Sequence, residues 1–334
     1  MANQVYVCGT LFHLFISIIK SILLHKKGYK SLLVINDHTP NIEKIIARIE
    51  REGFFDHIIS VPFFEITNKL KKEESFVKRT ILRNKLSVSY VEKHSEIRKY
   101  IPFINNAEIN LFYNLGLVSS YFIINFPTNY IRLVEDGYRN YNPKINNLTA
   151  FKRKYILRSA IGEGRDDSIR AIEVQHPHKL PKQVRHKGTI LDLKKLKKEL
   201  SEIEKARLIS IFLDNNKINI EEGKSLILLT QPLSEDRFIN EDQKIAIYIS
   251  ALKNYIGHYT IYLKSHPREL TNYKTAFSFD FVEIPKTFPL ELLDFFDNIN
   301  FNIGLTLFSS AINNLNCIEK KVTLGADYVK NFKA

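Results

Sequence analysis

Residues 260–269 read TIYLKSHPRE, a β-branched and apolar run that stops at a histidine followed by proline. The first half of this segment predicts a buried strand. Pro267 biases His266 away from helical torsions and has no N–H to donate to a sheet. The segment therefore predicts a strand that delivers His266 to a loop at the carboxyl edge of an α/β sheet, where such sheets bind ligands. A loop histidine can also have no task, so the rest of the chain must supply its partners.

The length and composition describe a folded chain with a strongly basic balance. At 334 residues the chain is long enough for two domains. The net charge of +13 indicates an acidic partner: nucleic acid, an anionic membrane surface, or phosphorylated and carboxylated small molecules. Cys8 and Cys317 lie far apart and have no metal-ligand spacing, so neither a disulfide scaffold nor a zinc site is expected. A reducing, cytoplasmic location fits this cysteine content best.

The apolar N-terminal residues 5–24 resemble a signal anchor at first sight. Polar residues such as Thr10, His13 and Lys20 interrupt them, and a spanning helix needs about 20 mostly apolar residues. We therefore expect a short buried strand at 4–8, a turn at Gly9 and Thr10, and a buried helix over 11–25. No transmembrane segment is predicted, and peripheral contact with the inner face of the cytoplasmic membrane is left open.

Apolar runs and helical patterns alternate along both halves of the chain. Strands are predicted at 31–36, 57–61, 108–113 and 129–134, and then at 225–230, 260–263, 281–284, 302–305 and 322–324. Helical spacing occurs at 41–52, at 191–213 as one or two helices, and at 241–255. This alternation predicts two Rossmann-like, doubly wound α/β domains facing a cleft. We place them at 1–175 and 184–334, joined by a His- and Pro-rich linker at about 176–183.

The strand at 129–134 ends in Glu135, Asp136 and Gly137. Two adjacent carboxylates before a glycine place at least one acidic group over the sheet edge on a tightly turning backbone. That is a suitable place for a general base. An ordinary Asp-Gly turn would have the same sequence.

The strand at 302–305 is followed by Ser309 and Ser310 and then by a helical pattern. A helix N-terminus with free N–H groups and two hydroxyls would bind phosphate, although simple capping explains the serines equally well. A second histidine-proline pair, His176 and Pro177, competes with His266. We rank it lower because its surroundings have the composition of a linker.

Basic residues concentrate over 69–85. The default interpretation is a solvated helical face. The more specific interpretation is a patch for anionic lipid headgroups or an acidic substrate.

The acidic-Asp-Gly, His-Pro and serine-pair motifs, in this order, resemble those of bacterial sialyltransferases with the two-domain B-type glycosyltransferase fold. The pattern is most similar to glycosyltransferase family 52, which includes lipooligosaccharide and capsular sialyltransferases. In related sialyltransferases an Ile-Pro pair is followed, six residues after the proline, by a ribose-binding glutamate. Ile284, Pro285 and Glu291 match that spacing.

The resemblance implies a role for each matching residue. Asp136 would be the general base that takes the proton of an acceptor hydroxyl. His266 would donate a hydrogen bond or proton to the departing CMP phosphate, with an imidazole that stays protonated near pH 7. The phosphate would be held by the serine pair and the ribose by Glu291. The remaining donor-binding candidates are Lys264, whose backbone would meet the cytosine, Pro267, Thr230 and Gln231.

The resemblance also implies an inverting, metal-independent transfer from CMP-sialic acid, with no cofactor, and the sequence has no D-x-D motif. The acceptor would be a hydroxyl, most simply of galactose, on an anionic lipid-linked or capsular glycan. Its linkage is open, because the acceptor-side candidates carry no transferable motif. These candidates are Gly9, Thr10, His13, Glu135 and Gly137, together with residues 36–38.

Two classes of alternative remain. A polysialyl-, CMP-Kdo or CDP-glycerol transferase would keep the fold and change the donor. A basic nucleic-acid-binding protein is disfavoured because no recognisable motif is present and the aromatic residues lie in apolar strands, so no nucleic-acid partner is expected. A homodimer is left open. The chain ends soon after Asp327 and Tyr328, so a C-terminal helix that crosses between domains would be short or absent.

Overall fold

The structure is a computed structural model of the chain. It describes residues 2–36, 42–75, 78–79, 83–113, 116–136, 138–142, 145–156, 160–213, 218, 220–221, 223–296 and 299–332. Among the sites predicted from sequence, Gly137 and residues 37–38 lie outside this described part. The contacts divide the chain into two units, Met1–Leu208 and Ile209–Ala334.

The first unit contains a seven-stranded, fully parallel sheet in the order β3-β2-β1-β4-β5-β6-β7. Its strands are β1 (Asn3–Cys8), β2 (Ser31–Asn36), β3 (His57–Val61), β4 (Ala107–Leu111), β5 (Ile131–Val134), β6 (Ile169–Val174) and β7 (Gly188–Ile190). The order of the strands reverses between β1 and β4. In open α/β sheets ligands bind outside the carboxyl ends of the strands at such a point.

The second unit repeats this arrangement with five parallel strands in the order β10-β9-β8-β11-β12. They are β8 (Ser225–Leu229), β9 (Thr260–Lys264), β10 (Val282–Ile284), β11 (Phe301–Thr306) and β12 (Ile318–Thr323). The order of the strands reverses between β8 and β11. The sequence prediction of two parallel α/β sheets is confirmed.

Helices connect the strands, as parallel pairing requires. In the first unit they are α1 (Leu11–His25), α2 (Ile42–Glu52), α3 (Phe63–Glu73), α4 (Arg83–His94), α5 (Ile101–Ile104), α6 (Leu117–Asn125), α7 (Tyr138–Tyr141), α8 (Asn147–Phe151), α9 (Leu193–Lys198) and α10 (Glu202–Phe212), whose last residues belong to the second unit. The second unit adds α11 (Glu241–Leu252), α12 (Tyr273–Ala276) and α13 (Ala326–Lys330). Short 3₁₀ helices occur at Glu96–Tyr100, Pro177–Lys179, Arg185–Lys187, Leu290–Phe295 and Ser310–Asn314, and a π-helix at Lys152–Ile156.

The N-terminal apolar segment folds as the sequence predicts, into β1 and the helix α1. Twelve of the fifteen residues of α1 are buried, which its nearly continuous apolar sequence favours. Thr10 caps the helix, because its side chain accepts a hydrogen bond from the backbone N–H of His13 at 3.3 Å. Within the described residues, no helix has the length and apolar character needed to span a bilayer.

The division between the units lies later than the linker that we placed at 176–183. The alternating sequence IRAIEV forms β6 at Ile169–Val174, and β7 at Gly188–Ile190 pairs with it in the first sheet. The histidine-proline pair at 176–177 therefore opens a short 3₁₀ helix inside the first unit. The three residues of β7, a glycine, a threonine and an isoleucine, carry too little periodicity to be recognised as a strand from sequence.

The pattern at 191–213 forms two helices, α9 and α10, that are separated at Leu200 and Ser201. Leu193, Leu200 and Leu208 are buried as the pattern predicts, whereas Ile203 is 74% exposed. Because the helix is broken, the apolar residues of α10 do not continue the spacing of those in α9, and Ile203 therefore lies on the solvent side of α10.

In the described part of the basic segment 69–85, the lysines behave as a solvated helical face. Lys69 pairs with Glu65 at 2.6 Å across one turn of α3, and Lys78 pairs with Glu74 at 2.5 Å. Lys71 and Lys72 are exposed. Exposed pairs of this kind contribute little to stability.

Candidate active site

The carboxyl end of β5 places Asp136 beside His13 of α1. The distance between Asp136 Oδ1 and His13 Nε2 is 2.6 Å. The backbone N–H of Gly9 donates to His13 Nδ1 at 3.1 Å, so Nδ1 is unprotonated and the imidazole proton lies on Nε2. The Nε2–H therefore donates to the carboxylate of Asp136. This hydrogen bond fixes one oxygen of the carboxylate and with it the orientation of the group.

His13 is itself held rigidly. Its ring stacks on Phe112, at the end of β4, with 4.4 Å between ring centroids and 15° between planes. Only 4% of the His13 side chain is exposed, against 24% of the Asp136 side chain. His13 is thus an internal support, and Asp136 is the member of the pair that solvent or a substrate can reach.

Two further contacts fix the register of α1 over the sheet. The hydroxyl of Ser17 lies 3.2 Å from the Cys8 sulfur. One turn further along, Lys20 forms a buried ion pair with Glu173 of β6. Burial lowers the pKa of Lys20, and the charge of Glu173 opposes that shift. A helix anchored at two successive turns holds His13 at a fixed height above the sheet.

Glu135 has a structural role, unlike its neighbour Asp136. It is buried, and its carboxylate accepts hydrogen bonds from the backbone N–H of Gln175 at 2.6 Å and from the Gln175 side chain at 3.3 Å. Glu135 therefore ties the end of β5 to the end of β6. Of the two adjacent carboxylates, Asp136 is the one that can serve as a base.

A cavity of about 320 Å³ opens beside Asp136 within the first unit. Its size lies at the lower end of the range of small-molecule sites, roughly 300–1,000 Å³. Its lining combines apolar side chains, among them Leu133, Ile172 and Leu180, with polar ones, among them Asn140, Thr149 and Arg153. A mainly apolar lining with a few polar groups suits a sugar ring, which has apolar faces and hydroxyl edges.

In the second unit, three loops meet the point where the strand order reverses. Thr230 follows β8, His266 lies two residues after the end of β9, and Ser309 lies three residues after the end of β11. Since β8 lies between β9 and β11, the carboxyl ends of these strands are neighbours. The structure thus brings the His-Pro loop, the serine loop and Thr230 to one edge of one sheet.

The His266 imidazole has a defined proton position. The backbone N–H of Arg268 donates to Nδ1 at 3.2 Å, which leaves the proton on Nε2. Burial, together with the positive charge of Arg268, lowers the pKa of His266 to about 4. The expectation that His266 stays protonated near pH 7 is therefore wrong for the unliganded protein. A neutral imidazole with an Nε2–H still donates a hydrogen bond.

A buried charged cluster holds the His-Pro loop. Glu269 accepts hydrogen bonds from the backbone N–H of His266 at 2.8 Å, from the hydroxyl of Thr230 at 2.7 Å and from that of Tyr273 at 2.6 Å. The ammonium of Lys244, on α11, lies 2.9 Å from Glu269, and both side chains are 0% exposed. The hydroxyl of Thr230 thus helps to hold Glu269, and donor binding by Thr230 stays a prediction.

Lys244 also pairs with Glu235, which lies in the loop after β8, at 2.9 Å. Burial raises the pKa of Glu235, but the hydrogen bonds from Leu270 N–H and from Lys244 outweigh it and hold that pKa at about 2. The loops after β8 and β9 are thereby joined through one lysine. The loop that carries His266 is consequently held in place by this cluster.

The serine loop is organised by side chains from the neighbouring strands. The side-chain oxygen of Gln231 accepts the backbone N–H of Phe308 at 2.9 Å, and Thr306 accepts that of Ser309 at 3.3 Å. The Ser309 hydroxyl accepts the N–H of Ala311 at 3.4 Å. The predicted helix is only the five-residue 3₁₀ helix Ser310–Asn314, so it contributes little dipole. The side chain of Ser310 lies outside the described residues.

Lys264 ends β9 with a buried side chain. Its ammonium donates to the backbone oxygens of Ser265 at 2.9 Å and of Lys286 at 3.1 Å. Burial lowers the pKa of Lys264 to about 8, against the opposing charges of Glu269 and Glu291. Glu291 is 6% exposed and lies in the 3₁₀ helix Leu290–Phe295. Lys264 thus ties β9 to the segment that leads from Pro285 to Glu291.

Several important residues were missed at the level of sequence. Glu269 belongs to the quoted segment, and a carboxylate three residues after His266 is spaced to accept its backbone N–H, so it could have been found. Lys244 could not have been found from the sequence, because a lysine on an amphipathic helix normally faces solvent. Asn140 and Arg153, which line the cavity, belong to no motif that the sequence offered.

In the part of the chain that the structure describes, no group of three or more His, Cys, Asp or Glu residues could hold a metal ion.

Comparisons with known proteins agree with the fold. A relative from Haemophilus influenzae, described as an uncharacterized protein, is 32% identical over 182 residues; the match covers 54% of this chain and 57%, little more than half, of the relative. The α/β-galactoside α-2,3-sialyltransferase of the luminous marine bacterium Photobacterium phosphoreum is structurally similar, with a TM-score of 0.52 at 15% identity over 96% of this chain and 90% of that one. The UDP-GlcNAc 2-epimerase of Methanocaldococcus jannaschii gives a TM-score of 0.50 at 11% identity, over 99% and 91% of the two chains.

Two units, each built on a parallel α/β sheet whose strand order reverses once, are the arrangement of the two-domain B-type glycosyltransferase fold. The sequence matches the model of glycosyltransferase family 52 over residues 60–325. The chain belongs to glycosyltransferase family 52.

Proposed function

We propose that the protein is a sialyltransferase that moves sialic acid from CMP-sialic acid to a hydroxyl of a bacterial surface glycan, most simply a galactose hydroxyl. The observation that carries the proposal is His266, with its proton on Nε2, in the His-Pro loop of a family 52 chain, at the ligand edge of the second sheet. Such a donor suits a phosphate leaving group.

On the acceptor side, Asp136 is the proposed general base. A carboxylate oriented by a single fixed hydrogen bond from His13 can take the proton of the attacking hydroxyl. His13 is a positioning residue in this scheme, since it acts on the substrate only through Asp136. The cavity beside Asp136 is the proposed acceptor site.

On the donor side, the His266 Nε2–H would hydrogen-bond to the phosphate oxygen on which charge develops as the glycosidic bond breaks. Ser309 would contact the same phosphate, and Glu291 would accept hydrogen bonds from the ribose hydroxyls. The acceptor oxygen forms one bond to the anomeric carbon while CMP leaves with the electron pair of the other. A single displacement inverts the configuration, so a β-linked donor yields an α-linked product.

The donor can be identified by incubating the full chain with CMP-sialic acid, CMP-Kdo or CDP-glycerol and a galactose-terminated acceptor. We expect CMP release and acceptor-dependent product with CMP-sialic acid, and an α-anomer by NMR. Turnover in the presence of EDTA is expected to equal turnover without it. Turnover of CDP-glycerol alone would overturn the proposal, and loss of activity in EDTA would overturn its metal independence.

CMP binding should draw a proton onto His266. In the unliganded protein the pKa of His266 is about 4, and an anionic phosphate beside the imidazole raises that pKa. His266 therefore contributes more to affinity as the pH falls from neutrality towards the free pKa. Calorimetry at about pH 5.5 in two buffers with different ionisation enthalpies should show proton uptake that is smaller in the variant His266→Gln.

Any change in protonation of the CMP phosphate is the same for the wild-type protein and His266→Gln, so it cancels in the difference between their proton uptakes. His176→Gln is the matched control, because His176 belongs to the competing histidine-proline pair in the first unit. Equal proton uptake in the wild-type protein and in His266→Gln would show that His266 does not meet the phosphate.

A further inference from the structure

An uncovered apolar stripe lies on residues 147–156, which form α8 and the π-helix that continues it. Four large side chains within nine residues are exposed: Leu148 at 63%, Phe151 at 54%, Tyr155 at 61% and Ile156 at 65%. The rings of Phe151 and Tyr155 pack together, with centroids 4.9 Å apart. A contiguous apolar patch of this kind marks an interaction surface, whereas single exposed apolar residues need no explanation.

The charges of the same segment are all positive. Residues 145–156 contain Lys152, Arg153 and Lys154 and no acidic residue. Lys152 and Lys154 are exposed. Lys154 lies 2.9 Å from Asp167, but with side chains 39% and 79% exposed this pair is weak and a competing anion can replace it. Apolar side chains beside lysines are the composition of a segment that lies in the surface of an anionic membrane.

The other side of this segment faces the candidate acceptor site. Thr149 and Arg153 line the cavity that also contains Asp136. The guanidinium of Arg153 donates to the backbone oxygen of Ile161 at 2.9 Å, which fastens that side to the unit. One short helical segment thus has an inner face on the cavity and an outer apolar face in solvent.

We propose that residues 147–156 dock the protein on an anionic lipid surface. The outer face enters the headgroup region, and the cavity is thereby held next to the membrane, where a lipid-linked acceptor would lie; this last step rests on the proposed function. A second copy of the chain fits less well, because a symmetric contact through this face would bring Lys152 and Lys154 of both copies together.

The test is sedimentation of the full chain with vesicles of phosphatidylglycerol and phosphatidylcholine, and with vesicles of phosphatidylcholine alone. We expect binding to the anionic vesicles, weakened by salt. The double variant Phe151→Ser/Tyr155→Ser should lower the partition coefficient by roughly tenfold, because affinity scales with the apolar area inserted. The double variant Ile190→Ser/Ile203→Ser, at sites 70% and 74% exposed elsewhere on the first unit, should bind like the wild-type protein.

Equal vesicle binding by the wild-type protein and Phe151→Ser/Tyr155→Ser would overturn the proposal. So would size-exclusion chromatography that shows a dimer which this variant dissociates, without any vesicle binding. Transfer to a water-soluble acceptor is measured in parallel and should be unchanged by the variant. Vesicle binding requires no donor, so a failure of docking and a failure of the proposed sialyl transfer are separate results.

Discussion

Replacing Asp136 by asparagine is expected to lower kcat for sialyl transfer by about 10²–10⁴-fold, the usual contribution of a positioned acid or base. Asparagine keeps the size of the side chain and can still accept the hydrogen bond from His13 Nε2, 2.6 Å away in the native pair. The loss would therefore report the missing base. The measurement is the initial rate of CMP-sialic acid consumption with a saturating acceptor, and donor binding should be unchanged.

The support of Asp136 by His13 can be separated from a general structural effect. His13→Gln can still offer an amide N–H near the position of Nε2, whereas His13→Ala cannot. We expect kcat to fall more in the alanine variant than in the glutamine variant, with similar KM for the donor. If both variants and Asp136→Asn kept the wild-type rate, the general base would have to lie elsewhere.

Replacing Lys244 by methionine is expected to destabilise the second unit by about 3–5 kcal/mol, because it leaves buried carboxylates without their cation. Lys244 is 0% exposed and pairs with Glu269 and Glu235, each at 2.9 Å. The control is Lys274→Met: Lys274 is 72% exposed and lies 3.5 Å from Glu283, so its loss should cost no more than about 1 kcal/mol. Denaturant unfolding of both variants gives the comparison.

The same cluster predicts a dependence of stability on pH. The pKa of Glu235 is held at about 2, below its usual value of 4.5. Its contribution is therefore complete above pH 4.5 and is lost as the pH falls through 4.5 towards 2. Glu235→Gln should reduce that acid sensitivity.

A Lys244→Met variant as stable as Lys274→Met would show that the cluster does not hold the loops after β8 and β9.

The positions of the strands were largely predictable, because parallel strands that are buried on both faces are nearly continuous apolar runs. Ser31–Asn36 and His57–Val61 were predicted to the residue, and the first helix at Leu11–His25 likewise. The edge strand Gly188–Ile190 was not predicted, since its three residues include a glycine and a threonine, whereas the equally short edge strand Val282–Ile284 was. The division of the units was misplaced for that reason.

The candidate site was predictable only where a residue stands next to a strand end. Asp136 and His266 could be found because a carboxylate or an imidazole after an apolar run is recognisable in one dimension. The partners that orient them could not be recognised in this way, because His13 is 123 residues from Asp136 and Lys244 is 25 residues before Glu269. The protonation of His266 was predicted wrongly, since burial and the charge of Arg268 depend on packing.

The sequence by itself determined that the chain forms two parallel α/β sheets and that a histidine-proline turn follows the strand Thr260–Lys264. Those properties follow from local periodicity and from the geometry of proline. Only the tertiary structure decided that His266 is neutral, that Glu269 and Lys244 hold its loop, and that His13 orients Asp136. These are consequences of desolvation and of contacts between distant segments, which exist only once the strands have been brought side by side.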